Sequence, residues 1–346
     1  MKVAVDAMGG DLAPLEVVRG AVLAASEYDV PVVLVGKKEE IARYLKKFHT
    51  RSLSIELVDA PEVISMDEQP GVAFRKKKNS SINIGLNLVG AGEAQSFVSA
   101  GNSGAVMAGA IFILRNIPGV DRPAIGTPIP TPLGKIVLID AGANVDCKPL
   151  NLAQFALMGE VYAKSILNIP DPRIAILSYG EERQKGNDLT KESGKILETL
   201  DINFIGNAEG RDLFADRADV FVCDGFVGNL VLKSLEGLAV AFGDFIRNEF
   251  RKSMLAMMGY LLAKPALRSM RKKVDYSEYG GAPLLGVNGG IVICHGSSNA
   301  HAIKNAIKVA AGLHAFSLEE EIKRKVSRMA ERIHIDTSAG SNFPGG

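Results

Sequence analysis

The chain has 346 residues, 47% of them hydrophobic, and its 40 Lys and Arg against 39 Asp and Glu leave a formal net charge of +1. That length can bury a large core, while the charge balance argues against nucleic acid or an acidic polymer as partner and leaves electrostatic recognition to a local patch. Cys147, Cys223 and Cys294 lack paired spacing, which speaks against a disulfide framework or a zinc site and for a reducing cytosol. No uninterrupted run of about eighteen apolar residues occurs, so no membrane span is predicted, and the N-terminus has no signal-peptide pattern.

Val3, Ala4 and Val5 open the chain as a strand, followed by Asp6-Ala7-Met8-Gly9-Gly10-Asp11. A helix comes next, with Pro14 in its first turn and Leu15, Val18, Val22 and Ala25 on its apolar face. A strand is predicted over 32–35, a helix over 39–48 and a third strand over 55–58. This β-α-β-α-β order predicts an α/β fold: a mostly parallel sheet, helices on both faces, and ligands at the carboxyl ends of the strands. Further strands are predicted over 95–99, 135–139, 173–177, 220–223 and 291–294. Helices are expected after Pro149 on the stripe Leu152, Phe155 and Met158, over 230–250, through Ala315, and over 318–333. The chain reads as one large α/β domain over 1–335 with a helical hairpin extension at about 240–275, and a flexible tail over 336–346.

The strand ends carry the chemistry. Gly9-Gly10, Gly101-Asn102-Ser103-Gly104, Gly142-Ala143-Asn144 and Asp224-Gly225-Phe226-Val227-Gly228-Asn229 are rich in small residues and donors. Glycines let the backbone approach a ligand without a Cβ, and the amides of a following helix start suit phosphate or an oxyanion. An ordinary strand-to-helix turn would explain any one of these loops; their repetition along one sheet favours a ligand. No GxxxxGK[ST] occurs, and no GxGxxG follows the first strand, which argues against a P-loop nucleotidase and a standard dinucleotide site. In the loop 178–187, Lys185 beside Gly186 can meet a phosphate as a point charge. Adjacent strand residues point to opposite faces, so Cys294 is expected inside and His295 outside, as a hydrogen-bonding or acid/base residue. His49, His301, His314 and His334 lack metal-ligand spacing, and no metal is predicted. Asp6, Asp140 and Asp224 read as loop-fixing groups, because a carboxylate aimed at phosphate would repel it.

Two basic segments stand out. Arg75-Lys76-Lys77-Lys78 lies in the polar connection 67–81 and reads either as a solvated face or as a patch for an acidic partner. The segment 250–273 contains Arg251, Lys252, Lys264, Arg268, Arg271, Lys272 and Lys273 but no acidic residue, and its apolar middle is too short to cross a bilayer. Gly259 and Pro265 predict a hairpin with Met254, Leu255, Met258, Leu261 and Leu262 at its tip, serving as an anchor on an anionic membrane or as a contact with a partner subunit.

The runs 5–11, 99–105, 139–149, 180–187, 224–233, 279–286 and 295–298, in this order, resemble the bacterial phosphate acyltransferases of the PlsX family over nearly the whole chain. The resemblance implies a Rossmann-like α/β/α fold, isocitrate dehydrogenase- and phosphate acetyltransferase-like. It further implies a homodimer that is cytoplasmic and peripherally attached to the membrane. The implied reaction is transfer of a fatty acyl group from acyl carrier protein to inorganic phosphate, giving acyl phosphate for phospholipid synthesis. Lys185 and Asn229 match the family's active-site positions. Ile293 and Asn288 depart from the family pattern, standing where a basic residue can occur.

The reaction so implied is direct attack of a phosphate oxygen on the thioester carbonyl, without an acyl-enzyme, a metal or an organic cofactor. Phosphate is ionised near neutral pH and needs orientation more than a strong base. Lys185 and Asn229 would hold phosphate or the developing oxyanion, with the glycine loops as a cradle and His295 in a secondary polar role. Two rivals stay open. One is a short-chain phosphate acetyltransferase or a hydroxy-acid dehydrogenase of the same fold type; the other is a non-catalytic membrane-bound adaptor for acyl carrier protein.

Overall fold

The computed structural model describes residues 1–274 and 280–339. Its first half runs β1 (Val3–Asp6), α1 (Leu15–Tyr28), β2 (Val32–Gly36), α2 (Lys38–Leu45), β3 (Ile55–Asp59), α3 (Pro70–Lys76), α4 (Ser81–Gly90), β4 (Ser96–Ser99) and α5 (Ser103–Gly109). A π turn (Ala110–Leu114) continues α5, and β5 (Ala124–Thr131), β6 (Gly134–Ile139) and α6 (Pro149–Ser165) follow. The second half runs β7 (Ile174–Leu177), α7 (Asp188–Glu198), β8 (Phe204–Ala208), β9 (Val220–Val222), α8 (Gly225–Phe250), α9 (Met254–Val274), β10 (Ala282–Leu285), β11 (Gly290–Ile293), α10 (Ala300–Ala315) and α11 (Leu318–Ala339).

All eleven strands form one sheet in the order β3-β2-β1-β4-β11-β10-β5-β6-β9-β7-β8. Strands β1, β2, β4, β6, β7, β9 and β11 are buried along most or all of their length, which is why they read as near-continuous Val, Ile and Leu runs. Alternation divides the core: Val3 and Val5 pack with α1, α6 and α10 on one face, while Ala4 joins Leu86, Phe97 and Val106 on the other. Helix α6 is buried from Asn151 to Ala163, so its sequence is apolar almost all round.

The strand directions were not legible in the sequence. β3, β2, β1, β4 and β11 are mutually parallel, and so are β6, β9, β7 and β8. Between them, β10 is antiparallel to β11 and to β5, and β5 is antiparallel to β6. Three reversals leave the two parallel groups running in opposite directions, so their carboxyl ends open on opposite edges of the sheet.

Strands β5, β8 and β10 and helices α3, α4 and α7 lie in stretches that the sequence reading leaves without an element. Pro128 and Pro130 disguise β5; they are tolerated because β10 pairs only with Ala124 and Ile125, leaving the proline-bearing stretch with β6 as its one partner. Helix α4 is announced by Ser80, whose hydroxyl accepts from the Asn83 amide. Helix α8 begins at Gly225, not Leu230, so the expected glycine loop is the first turn of a helix capped by Asp224. The helical hairpin turns at 251–253, not at Gly259 or Pro265, and Pro265 lies inside α9. Phe250 and Tyr260 meet across this turn with ring centroids 5.2 Å apart.

By length and composition alone, α8 is long and apolar enough to cross a membrane, contrary to the sequence expectation. Its apolar residues are broken by glycines and single charges, which hides them from a search for an uninterrupted run. Helix α11 continues to Ala339, past the expected start of the tail; residues 340–346 and Tyr279 lie outside the described residues, as do the side chains of Arg268, Arg271, Lys272 and Lys273.

Asn288, one of the departures noted above, has a structural task. Its amide nitrogen lies 3.0, 3.3 and 3.1 Å from the carbonyl oxygens of Leu114, Arg115 and Asn116, tying the end of the π turn to the β10–β11 connection. Asn288→Ala is expected to destabilise the protein by about 1–3 kcal/mol, the cost of leaving such acceptors without a partner. Urea unfolding checks this through a lowered midpoint at unchanged slope.

Candidate active site

On the edge where β6, β9 and β7 end, the chain turns around one buried carboxylate. Asp140 Oδ1 accepts from the backbone amides of Ile125 (3.0 Å), Gly142 (3.1 Å) and Ala143 (2.9 Å). Its Oδ2 accepts from the Asn144 backbone (2.7 Å) and from Asn144 Nδ2 (2.9 Å). Burial pushes the Asp140 carboxyl above the usual carboxylate range, and these hydrogen bonds oppose the shift. Helix α8 presses its first turn onto this loop. A Cβ on Gly228 would run into the Asp140 carbonyl oxygen, and one on Gly225 would lie 2.7 Å from the Asn144 carbonyl oxygen. Asp224 Oδ1 caps the helix by accepting from the Val227 amide at 2.8 Å. Asn229 follows, exposed and beside Gly142, whose φ of +137° only glycine adopts readily.

Lys185 reaches the same edge from β7, the neighbour of β9. Asn207, at the end of β8, donates from Nδ2 to the carbonyls of Glu182 (2.9 Å) and Lys185 (3.2 Å), which holds the loop in shape. Gly186, at φ +109°, sits so close to Thr190 that a Cβ would collide with its hydroxyl. Lys185 Nζ lies 5.5 Å from the centre of the Tyr179 ring and, among the described residues, makes no ion pair. Lys185, in the loop after β7, and Asn229, at the start of the helix after β9, thus follow adjacent strands at one edge, a cation and an amide beside a loop of tightly fixed backbone.

The opposite edge gathers the remaining loops, from β1, β4 and β11. Asp6 is fully buried; its Oδ2 accepts from the Ser99 hydroxyl at 2.7 Å and its Oδ1 from the Met8 amide at 3.1 Å, and burial pushes its carboxyl up. Gly9 lies against Gly101, with 2.6 Å between the place of a Cβ and the Gly101 nitrogen, and Gly10 lies against the Gly296 carbonyl. Asn102 caps α5 through the Ala105 amide (3.0 Å) and donates from Nδ2 to the carbonyls of Ser65 (3.1 Å), Met66 (3.4 Å) and Glu68 (3.0 Å). Ser103 is exposed and Gly104 abuts Pro70. His295 is exposed with Nδ1 2.8 Å from the Ser297 hydroxyl, while Cys294 is buried, the in-and-out arrangement expected of strand neighbours.

The expected convergence of every glycine loop on one edge is therefore corrected. Gly9, Gly10, Gly101, Asn102, Ser103, Gly104 and His295 form one group; Asn144, Lys185, Gly228 and Asn229 form the other. Within the second group, the Asn144 amide is occupied by Pro123 and Asp140, and the Gly228 amide donates to the Asp224 carbonyl at 2.9 Å. Both residues build the site's walls, which leaves Lys185 and Asn229 as the groups able to face a ligand. Asp6, Asp140 and Asp224 fix loops as anticipated. Asn207 escaped notice, since nothing local to β8 marks a residue that braces a neighbouring loop.

Among solved structures, the chain superposes on a phosphotransacetylase from Streptococcus pyogenes with a TM-score of 0.61 at 22% identity, covering 92% of this chain and 94% of that one. The EutD phosphotransacetylase from Staphylococcus aureus gives 0.57 at 18% identity over 90% and 93%. These likenesses define the class: an α/β protein with the phosphotransacetylase fold. The family described as "Fatty acid synthesis protein" matches residues 1–319. The proteins named phosphate acyltransferase from Geotalea uraniireducens (strain Rf4) and Pelotomaculum thermopropionicum are each 51% identical to this chain. They are matched over 96% of this chain and 94% of the relative, and over 99% and 98%, respectively. The chain belongs to this phosphate acyltransferase family.

Gly228→Ala is expected to destabilise the protein by about 1–3 kcal/mol, because the added methyl must displace either the Asp140 carbonyl or the first turn of α8. Denaturant unfolding measures this loss, and Gly237→Ala, on an open stretch of the same helix, serves as the tolerated control.

Proposed function

We propose that the protein transfers a fatty acyl group from acyl carrier protein to inorganic phosphate and releases acyl phosphate for phospholipid synthesis. The observation that carries this reading is the family match along nearly the whole chain, with Lys185 and Asn229 following the adjacent strands β7 and β9 at one sheet edge. A phosphate oxygen attacks the thioester carbonyl carbon; the new C–O bond forms, the C–S bond breaks, and the carrier leaves as its thiolate. Lys185 opposes the negative charge of phosphate and of the tetrahedral oxyanion, and Asn229 donates a hydrogen bond to one of them. His295, Gly9, Gly10 and the 101–104 turn lie on the other edge of this chain and serve in binding, not in the step itself. The phosphotransacetylase fold keeps a short-chain acetyl transfer as the second reading.

Purified protein supplied with long-chain acyl carrier protein and phosphate tests the reading. Acyl phosphate is the expected product; turnover with acetyl donors alone would select the second reading, and binding without turnover would select an adaptor. Lys185→Ala is expected to lose on the order of a hundredfold in kcat while remaining folded by circular dichroism.

Two surfaces support association as a homodimer and with membranes. Helix α8 leaves Leu238, Val240, Phe242 and Phe245 exposed, an apolar stretch suited to a second copy of the chain. Helix α9 exposes Met254 (83%), Leu255, Met258, Leu261 and Leu262 (85%) beside Arg251, Lys252 and Lys264, which suits an anionic bilayer surface. Leu261→Glu with Leu262→Glu is expected to abolish sedimentation with anionic liposomes and to spare activity on soluble substrate. Loss of the dimer with liposome binding intact would assign this surface to the partner subunit.

A further inference from the structure

Helix α3 and the π turn after α5 meet through two rings, Phe74 and Phe112, edge-on with centroids 6.0 Å apart. Phe74 is buried, but Phe112 is 66% exposed, and Ile111 beside it and Val72 on α3 are exposed as well. The Arg115 guanidinium lies 5.9 Å from the centre of the Phe112 ring. Within or just after these two elements come Arg75, Lys76, Lys78 and Arg115, all exposed and, among the described residues, in no ion pair. Some exposed cations elsewhere have an acidic partner one helical turn away, as in Lys195–Glu192, Lys233–Glu236 and Arg324–Glu321. Lys77, from the same basic run, is already bound to Glu68 at 2.6 Å and to the Val63 carbonyl at 2.7 Å.

The patch is also held in shape. Buried Asn83 donates from Nδ2 to the carbonyls of Phe74 and Lys77, both at 2.9 Å, fixing the end of α3. Arg115 stands at φ +67°, a left-handed conformation unusual for a residue with a Cβ, and the Asn288 backbone amide donates to its carbonyl at 3.0 Å. The patch shares its foundations with the Gly101 turn, since Asn102 grips the chain just before α3 and Gly104 packs against Pro70.

We propose that this surface is where the acyl carrier protein docks: carboxylates of an acidic helical partner pair with Arg75, Lys76, Lys78 and Arg115, and an apolar side chain of the partner seats on Phe112. This rests on the function proposed above and adds the surface by which the donor is recognised. Four exposed cations that, among the described residues, make no ion pair, in a chain of net charge +1, match an acidic protein surface. Spread over an open face, they form no enclosed cradle for a single phosphate. One exposed ring with two small neighbours is too little apolar area to hold a bilayer but suits the centre of a transient protein interface.

The test compares two donors, acyl carrier protein charged with a long acyl chain and the same acyl group on uncharged N-acetylcysteamine. The variants are Arg75→Glu with Lys78→Glu, Arg115→Glu, Phe112→Ala, and the conservative Lys78→Arg. The charge reversals and Phe112→Ala are expected to raise KM for the carrier donor tenfold or more, with kcat, KM for phosphate and the N-acetylcysteamine reaction unchanged; Lys78→Arg is expected to behave as wild type. Wild-type KM for the carrier donor should rise with salt, as exposed charge pairs are screened over about 10 Å at 0.1 M. An unchanged carrier KM in the reversal variants overturns the proposal, and so does equal damage with both donors. Loss of anionic-vesicle sedimentation in place of carrier affinity overturns it in favour of a membrane contact. If the wild type turns over neither donor, the proposed function fails; fluorescence anisotropy with labelled acyl carrier protein then decides the docking surface alone, retained binding by Arg75→Glu with Lys78→Glu overturning it.

Discussion

The antiparallel strands β10 and β5 at the middle of the sheet govern what the rest of the molecule can do. They join two parallel half-sheets and reverse the direction between them, so loops that carry similar residues end on opposite edges. The carboxyl end of each half keeps the feature that makes such edges binding sites, a row of strand-to-helix turns. One edge carries Lys185 and Asn229; the other carries the glycine turns after β1 and β4 together with His295.

Each edge is organised by a buried aspartate that works on the protein's own backbone. Asp140 gathers five donors from β5 and from its own loop, and Asp6 gathers Ser99 and the turn after β1. Burial of a carboxylate is unfavourable unless hydrogen bonds offset it, and here the offsetting donors are the loops themselves. Helix α8 must then approach the Asp140 loop closely, which is why Gly225 and Gly228 lack side chains. Asn229, one residue further along α8, inherits a fixed position beside Gly142.

The outer surface is equally partitioned. The hairpin of α8 and α9 presents apolar residues with flanking cations, whereas the face of α3 and the π turn presents cations around a single ring. These are different balances of charge and apolar area, suited to different partners: an extended apolar surface gains mainly from burial, and a sparse one gains mainly from electrostatic complementarity.

The sequence by itself determined the strands β1, β2, β3, β4, β6, β7, β9 and β11, the helices α1, α2, α6, α10 and α11, the loop-fixing aspartates, the inward Cys294 and outward His295, and the family. All of these depend on side-chain period or on motifs a few residues long, which are local properties. Only the tertiary structure decided that the glycine loops separate onto two edges, because strand direction is set by pairing between β10, β5 and β6, segments far apart in the chain. It also decided that Pro128 and Pro130 lie in a strand, since their tolerance depends on a missing neighbour, and that Gly228 is packed and not exposed, since that depends on the Asp140 carbonyl. The meeting of Phe112 with Phe74 and with the Arg115 guanidinium is of the same kind: contact across the fold, with no trace in the spacing of residues along it.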